Sequence, residues 1–158
     1  MDFNLGGKTV GEEVMLSEPD ARVPFQASLR SLVPVDHWEI ACNGRVVRPL
    51  SLEGDRTHGE VSGTLDLEES GWCVLRAWSE GPRHPVLDAY PYATTSPIYV
   101  TVGGKKPRSP ADAAYFTAWI DRIRDSVEAF TDWNTEEEKK AVEAMLHRAR
   151  AVYEEQQQ

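Results

Sequence analysis

Apolar and polar side chains alternate along most of the first hundred residues, which is the pattern of β-strands with one buried face and one solvated face. The clearest case is residues 22–32, and the same alternation recurs over residues 58–67. In the first of these segments the apolar face is formed by Val23, Phe25, Ala27 and Leu29. This pattern predicts antiparallel sheets that cover one another, and it disfavours a parallel sheet buried on both sides.

A β-hairpin is predicted over residues 35–50, VDHWEIACNGRVVRPL, around the dipeptide Asn43-Gly44. A two-residue type I′ turn needs positive φ at both central positions, and Asn followed by Gly meets that need at little steric cost. Two strands alone are marginal in water, so this hairpin requires further strands to cover its apolar face.

The fold predicted for residues 1–104 is an antiparallel, immunoglobulin-like β-sandwich of seven or eight short strands. A strand is expected over residues 72–78, and a last one over residues 98–102, which Gly103-Gly104 ends. The proline-rich residues 81–97 are expected to be irregular.

Residues 105–158 are predicted to form a basic linker and an αα-hairpin packed on the sandwich. Ser109-Pro110 is a typical helix start, and Thr135 with Glu138 three residues later is a second one. The apolar stripe of the first helix comprises Phe116, Trp119, Ile120, Ile123, Val127 and Phe130, and that of the second comprises Val142, Met145, Leu146, Ala149 and Val152. The two stripes are expected to pack partly on each other, with the first helix also docked on the sandwich.

The formal net charge of −9 argues against a surface for nucleic acid or for an anionic membrane, since such binding depends on Lys and Arg. No apolar run approaches the ~18 residues of a membrane span. The N-terminal residues lack the basic start and apolar segment of a signal peptide. The compartment therefore stays unknown from this chain, with a secreted or periplasmic parent protein as one option.

No catalytic or metal-binding constellation is predicted. None of the four histidines stands at metal-ligand spacing to another, no nucleophile motif is present, and no cofactor is expected. Cys42 and Cys73 each fall in a predicted strand and are interpreted as buried free thiols. A disulfide between them is the open alternative, because pairing requires facing side chains that a sequence does not reveal.

The aromatic residues divide into core positions and candidate ligand contacts. Trp38 and Trp72 are assigned to inward strand positions, and Trp119 to the helix stripe, so all three are expected in the core. The residues free to contact a carbohydrate or another small ligand are Trp78, Tyr90, Tyr92 and Thr95. They lie at or within the irregular segment, and binding residues often gather on loops held by a rigid scaffold.

Three segments together resemble a known family. They are VDHWEIACNGRVV at residues 35–47, GWCVLRAW at residues 71–78, and the run YATTSPIYVTVGGKKPRSPADAAYFTAWIDRI that begins at Tyr92. In order and spacing these segments resemble the C-terminal region of CehA/McbA-type metallohydrolases of the PHP superfamily. The resemblance covers roughly Phe3 to Phe130. It implies a β-rich accessory region that follows an N-terminal catalytic domain carrying a His- and Asp-rich metal cluster.

The chain departs from that family in two ways. The metal motifs of the catalytic domain are missing, so the resemblance does not extend hydrolase activity to this chain. Thr94 stands where the family would have a histidine before Thr95-Ser96-Pro97, which removes support for an active-site role there. The chain is therefore expected to be a non-catalytic accessory domain that packs on a catalytic metallohydrolase domain or forms a homodimer through its helices. The alternative is a β-sandwich module that binds a carbohydrate or small ligand through its loop aromatics, and a free-standing enzyme is disfavoured.

Overall fold

The computed structural model describes residues 1–86 and 91–157, and the chain divides into two compact units, Met1–Pro107 and Arg108–Gln158. Within the described residues the first unit contains ten strands and the second contains two helices. The strands are β1 (Asp2–Leu5), β2 (Lys8–Thr9), β3 (Glu13–Leu16), β4 (Ala21–Arg30), β5 (His37–Cys42), β6 (Arg45–Pro49), β7 (His58–Leu67), β8 (Gly71–Trp78), β9 (Tyr92–Thr94) and β10 (Ile98–Val102). The helices are α1 (Pro110–Ala129) and α2 (Glu136–Gln157).

The strands form two sheets. The first has four strands in the order β2-β1-β4-β7, and the second has the order β3-β10-β8-β5-β6, with β9 paired to β8 in addition. All pairs are antiparallel except β3 with β10, which is parallel. The expectation of purely antiparallel sheets is therefore wrong at this edge. A parallel pair needs a long connection, and here most of the first unit lies between its two strands.

One apolar core is shared by the two sheets. The strand predicted over residues 22–32 is β4, and its alternate apolar side chains are buried as expected. The core residues of the first sheet are Phe3, Leu5, Val23, Phe25, Ala27, Leu29, Leu65 and Leu67. Those of the second sheet are Val14, Trp38, Ile40, Cys73, Leu75, Ala77, Ile98, Val100 and Val102. The mainly β class and the period-2 prediction are thus confirmed.

The central hairpin forms as predicted, with β5 and β6 joined at Asn43 and Gly44. Both residues have positive φ, 49° and 79°. The Asn43 side chain also reaches the next turn, because its Oδ1 accepts from Trp72 N at 3.0 Å and its Nδ2 donates to Glu69 Oε1 at 3.2 Å. A Cβ on Gly71 would stand 1.8 Å from Asn43 Oδ1, so this contact requires glycine at position 71.

Trp72 is not a core residue. On β8 the buried positions are Cys73, Leu75 and Ala77, so the period of two turns Trp72 to the outer face, where 39% of its surface is exposed. The sequence indicated a strand but not its phase, since β8 is apolar on both faces. Trp38 on β5 is buried as predicted, with 2% of its surface exposed.

The interpretation of Cys42 and Cys73 as free thiols is wrong. The two residues are directly opposite in the β5–β8 register, their Cα atoms are 4.1 Å apart, and a disulfide joins them. Residues directly opposite in an antiparallel pair share one face, and this provides the facing side chains that a disulfide needs.

A short strand also lies in the segment expected to be irregular. β9 pairs with the last residues of β8, Arg76↔Thr94 and Trp78↔Tyr92, while β10 pairs with its first residues. Thr95 lies between β9 and β10 and also bonds to β8. Its hydroxyl accepts a hydrogen bond from Leu75 N at 3.1 Å, and its backbone N donates to Leu75 O at 2.9 Å. The side chain of Thr95 therefore completes the ladder at the break between β9 and β10.

Both helix starts are confirmed. Ser109 Oγ accepts from Asp112 N at 3.4 Å, and Thr135 Oγ1 accepts from Glu138 N at 3.1 Å. These bonds satisfy backbone donors that have no partner within the helix.

The contact between the helices matches the predicted stripes only in part. The predicted stripe residues that are half-buried are Ile120, Val127, Val142, Leu146 and Ala149. Ala113 and Thr117 are the buried residues of α1, and Arg150 Nε of α2 donates to Asp121 Oδ1 at 3.0 Å. The predicted stripe residues that are exposed are Phe116, Trp119, Ile123, Phe130, Met145 and Val152, and Trp119 has 50% of its surface exposed. Small and polar residues thus take part in the contact between the helices, together with the stacking of Phe116 on Tyr153 of α2, whose ring centroids are 5.1 Å apart. The prediction of a core position for Trp119 is wrong.

We expect replacement of both cysteines by alanine to lower the free energy of unfolding by about 3 kcal/mol, because the bond closes a loop across a sequence separation of 31 residues. Urea denaturation of the wild type, with and without a reductant, measures the difference. The double variant is the control and should not respond to the reductant. Equal stability of all the forms would contradict a bonded pair.

Candidate functional site

A row of aromatic side chains crosses the outer face of the second sheet. His37 on β5 lies opposite Trp78 on β8, which lies opposite Tyr92 on β9. The rings of His37 and Trp78 are stacked, with centroids 3.9 Å apart and planes 15° from parallel. Tyr92 has 55% of its surface exposed. We call these three residues the aromatic row.

Charged side chains border the aromatic row. Glu39 is buried, with 9% of its surface exposed, and its Oε1 accepts from Arg76 Nε at 2.6 Å. Glu80 Oε1 lies 3.3 Å from His37 Nε2. A shallow depression of about 360 Å³ is lined by Arg76, Trp78, Ser79, Glu80 and Tyr92. It combines aromatic surfaces with hydrogen-bonding groups, which is the composition of a site for a flat polar ligand.

The loop that carries Glu80 is held by Asp36. Glu80 N donates to Asp36 Oδ2 at 3.2 Å, and Arg83 Nη2 lies 3.0 Å from both oxygens of the same carboxylate. Arg56 Nη1 lies 3.0 Å from Asp36 Oδ1. Asp36 therefore ties the turn before β7 and the segment after β8 to the start of β5. We call this cluster the Asp36 clamp.

The Asp36 clamp lowers the pKa of the Asp36 carboxyl. The largest cause is the hydrogen bond from the backbone N–H of Glu80, followed by the bond from the Arg83 guanidinium, and burial opposes both. Each of these donors favours the charged carboxylate over the neutral acid. The clamp is accordingly formed most strongly when Asp36 is ionised.

The structure brings together two of the four predicted ligand contacts. Trp78 and Tyr92 are neighbours in the aromatic row. Thr95 lies apart from the row, and its hydroxyl is engaged in the β8 ladder. Tyr90 falls outside the described residues. A ligand-binding role for these residues stays a prediction.

Sequence reasoning missed the residues that surround Trp78. His37 and Glu39 alternate on β5, and Arg76 and Trp78 alternate on β8, so all four lie on the outer face. The alternation of side chains in each strand predicts which residues of that strand share a face. The register that places His37 beside Trp78 depends on the pairing of β5 with β8, which the sequence did not provide.

No group of three His, Cys, Asp or Glu side chains suited to a metal ion occurs within residues 1–86 and 91–157. In the same part of the chain, neither helix has the length and apolar character to cross a membrane. No family model matches the sequence, and no curated protein and no solved structure is significantly similar to the chain.

We expect Asp36→Asn to destabilise the first unit by about 2 kcal/mol at neutral pH, because the amide keeps the shape but loses the charged partner of two arginines. The pKa of Asp36 is lower in the folded chain than in the unfolded chain, so its stabilisation of the fold is fully present above about pH 3.9, its pKa in the unfolded chain. This stabilisation is lost as the pH falls through the pKa of Asp36 in the folded chain. Thermal unfolding from pH 7 to pH 2 should therefore show the two proteins converging in acid. A constant difference down to pH 2 would contradict this role of Asp36.

Proposed function

We propose that this chain is a non-catalytic accessory domain of a larger metal-dependent hydrolase-like protein, as the CehA/McbA resemblance implies. Its first unit is then an immunoglobulin-like β-sandwich. The strand orders support this fold, because β1-β4-β7 corresponds to strands A-B-E and β10-β8-β5-β6 corresponds to G-F-C-C′. The buried Trp38 on β5 occupies the strand that carries tryptophan in immunoglobulin domains. The disulfide differs, since it joins two strands of one sheet, whereas antibody domains bridge the two sheets.

The observation that carries the interaction role is the exposed aromatic stripe of α1. Tyr115, Phe116, Trp119, Ile123 and Phe130 are all exposed, and Phe116 and Trp119 stack with centroids 6.3 Å apart. Contiguous apolar surface on a soluble domain usually marks an interface, and aromatic residues dominate the binding energy of interfaces. The stripe is therefore the surface that docks on the catalytic domain of the parent protein.

The full-length gene product provides the first test, since an additional segment with His-x-His motifs is expected there. Its catalytic domain, produced separately, should bind this chain. Trp119→Asp should weaken that binding by about tenfold or more, because it places a charge in the apolar contact. Ala118→Asp is the matched control, because it adds the same charge at an exposed position outside the stripe.

Isothermal titration of both variants measures the effect. Equal affinities for Trp119→Asp and Ala118→Asp would overturn docking through the stripe. A full-length product without a metallohydrolase domain would overturn the accessory role itself. If the stripe instead forms a homodimer through the helices, Trp119→Asp should convert a dimer to a monomer in sedimentation experiments.

A second candidate function is binding of a carbohydrate or small polar ligand, and the aromatic row favours it. Because β5 and β9 flank β8 on opposite sides, His37 covers one face of the Trp78 indole and the depression lies toward Tyr92. Sugars present apolar C–H faces that stack on aromatic rings, and Arg76 and Glu80 offer polar contacts at the rim.

We expect a ligand of this kind to change the tryptophan fluorescence of the chain in titrations across a broad sugar panel. Trp78→Ala should reduce the affinity by about tenfold or more, since an aromatic contact at the centre of a site carries much of its binding energy. Trp72→Ala is the matched control, because Trp72 lies on the same outer face at the other end of β8. No response to any ligand, or equal losses in both variants, would remove this candidate.

A further inference from the structure

Strand β7 forms one edge of the first sheet and is unpaired on its outer side. Its ten residues pair with β4 in continuous register from His58↔Arg30 to Leu67↔Ala21. No strand among the described residues lies beyond it. Residues 50–57, which connect β6 to β7, contain no strand. In the immunoglobulin arrangement a strand D would occupy this place.

The backbone groups at this edge can be assigned from Pro24 on β4. Its carbonyl oxygen accepts from Gly6 N at 2.7 Å, on the β1 side, and it has no amide hydrogen. Pro24 and Thr64 are therefore a non-hydrogen-bonded pair of the β4–β7 ladder. In such a pair the N–H and C=O groups of each residue point away from the partner strand, so those of Thr64 point away from β4. Since the pattern alternates, the backbone groups that face outward belong to His58, Glu60, Ser62, Thr64 and Asp66.

The sheet edges at β2, β3 and β6 carry features that discourage pairing. β2 has two residues and β3 has four, while β6 ends in Pro49 and has a bulge opposite Ile40 and Ala41. Short strands, proline and bulges are the usual ways in which edge strands avoid association. β7 has none of these, and its charged side chains lie on the solvated face.

We propose that β7 pairs antiparallel with β7 of a second copy, about a two-fold axis at Ser62, and so joins two four-stranded sheets into one. In this register Ser62 faces Ser62 of the second copy, Glu60 faces Thr64, and His58 faces Asp66. All of these residues have outward-facing backbone groups, so the pairs form about ten hydrogen bonds, a number typical of specific interfaces.

The side chains favour this register, which pairs His58 with Asp66, over two others. A shift that centres the axis on Gly63 places Glu60 opposite Asp66, and a shift that centres it on Glu60 places two Glu60 carboxylates together. Like charges directly opposite destabilise a strand pair, whereas the imidazole of His58 and the carboxylate of Asp66 attract or hydrogen-bond. This self-complementarity identifies the occupant of the edge as a second copy of the chain.

Sedimentation velocity of the full chain tests the proposal with Ser62→Pro. The N–H of Ser62 points away from β4, so proline there preserves the β4–β7 ladder and removes a donor at the centre of the interface. We expect the dissociation constant of the dimer to rise by about tenfold or more. Ser62→Ala is the matched control, because it keeps the N–H, and it should dimerise like the wild type.

Cysteine cross-linking tests the register independently of any effect of proline on folding. Ser62→Cys should form an intermolecular disulfide under mild oxidation, because facing residues in a hydrogen-bonded pair have Cα atoms about 5.5 Å apart. Glu60→Cys or Thr64→Cys alone should not cross-link, but a mixture of the two variants should. Cross-linking is read on non-reducing gels.

A wild-type chain that remains monomeric at all concentrations would overturn the proposal, and so would a Ser62→Cys chain that does not cross-link. A dimer that Trp119→Asp abolishes and Ser62→Pro leaves intact would also overturn it, while supporting association through the helices. The proposed accessory function depends on the exposed aromatic stripe of α1. A failure of that function would therefore be seen in the Trp119→Asp titration and not in the Ser62 experiments.

Discussion

The pairing of β8 with three other strands is the constraint on which most of the first unit depends. β5 lies on one side of it, and β9 and β10 lie in succession on the other. This arrangement sets the disulfide partner of Cys73, the stacking of His37 on Trp78, and the ion pair between Arg76 and Glu39. Because these contacts follow from one register, a slip of a single residue would reverse the faces of β8 and remove all of them together.

Local signals in the sequence were enough to predict most of the elements, but not the short strand β9. Asn43-Gly44 specified its turn through backbone conformation, and Ser109-Pro110 specified the start of α1 through capping. β4 was predicted with its buried face because its polar and apolar positions alternate cleanly. β8 and α1 have apolar residues on more than one face, and there the sequence predicted the element but not which side is buried.

The misassigned residues share a physical cause. Trp72 and Trp119 are large and apolar, and on average such residues are buried. Here the smaller Cys73 is buried next to Trp72, and Ala113 and Thr117 are the buried residues of α1. The disulfide and the aromatic row both depend on contacts between strands distant in sequence. Such contacts are set by the packing of the whole sheet, and no local pattern encodes them.

The bonding of Asn43 has a consequence for the chemical ageing of the protein. An Asn-Gly dipeptide loses ammonia when the backbone nitrogen of the glycine attacks the side-chain carbonyl carbon, which requires the amide to swing toward the backbone. Here its oxygen is bound to Trp72 N and its nitrogen to Glu69 and Ser70, so the amide is held in the folded chain. Deamidation would also replace a donor with a carboxylate oxygen beside Glu69, and the two negative charges would repel. Slow deamidation at this turn is therefore a property of the folded state, and the unfolded chain has no such protection.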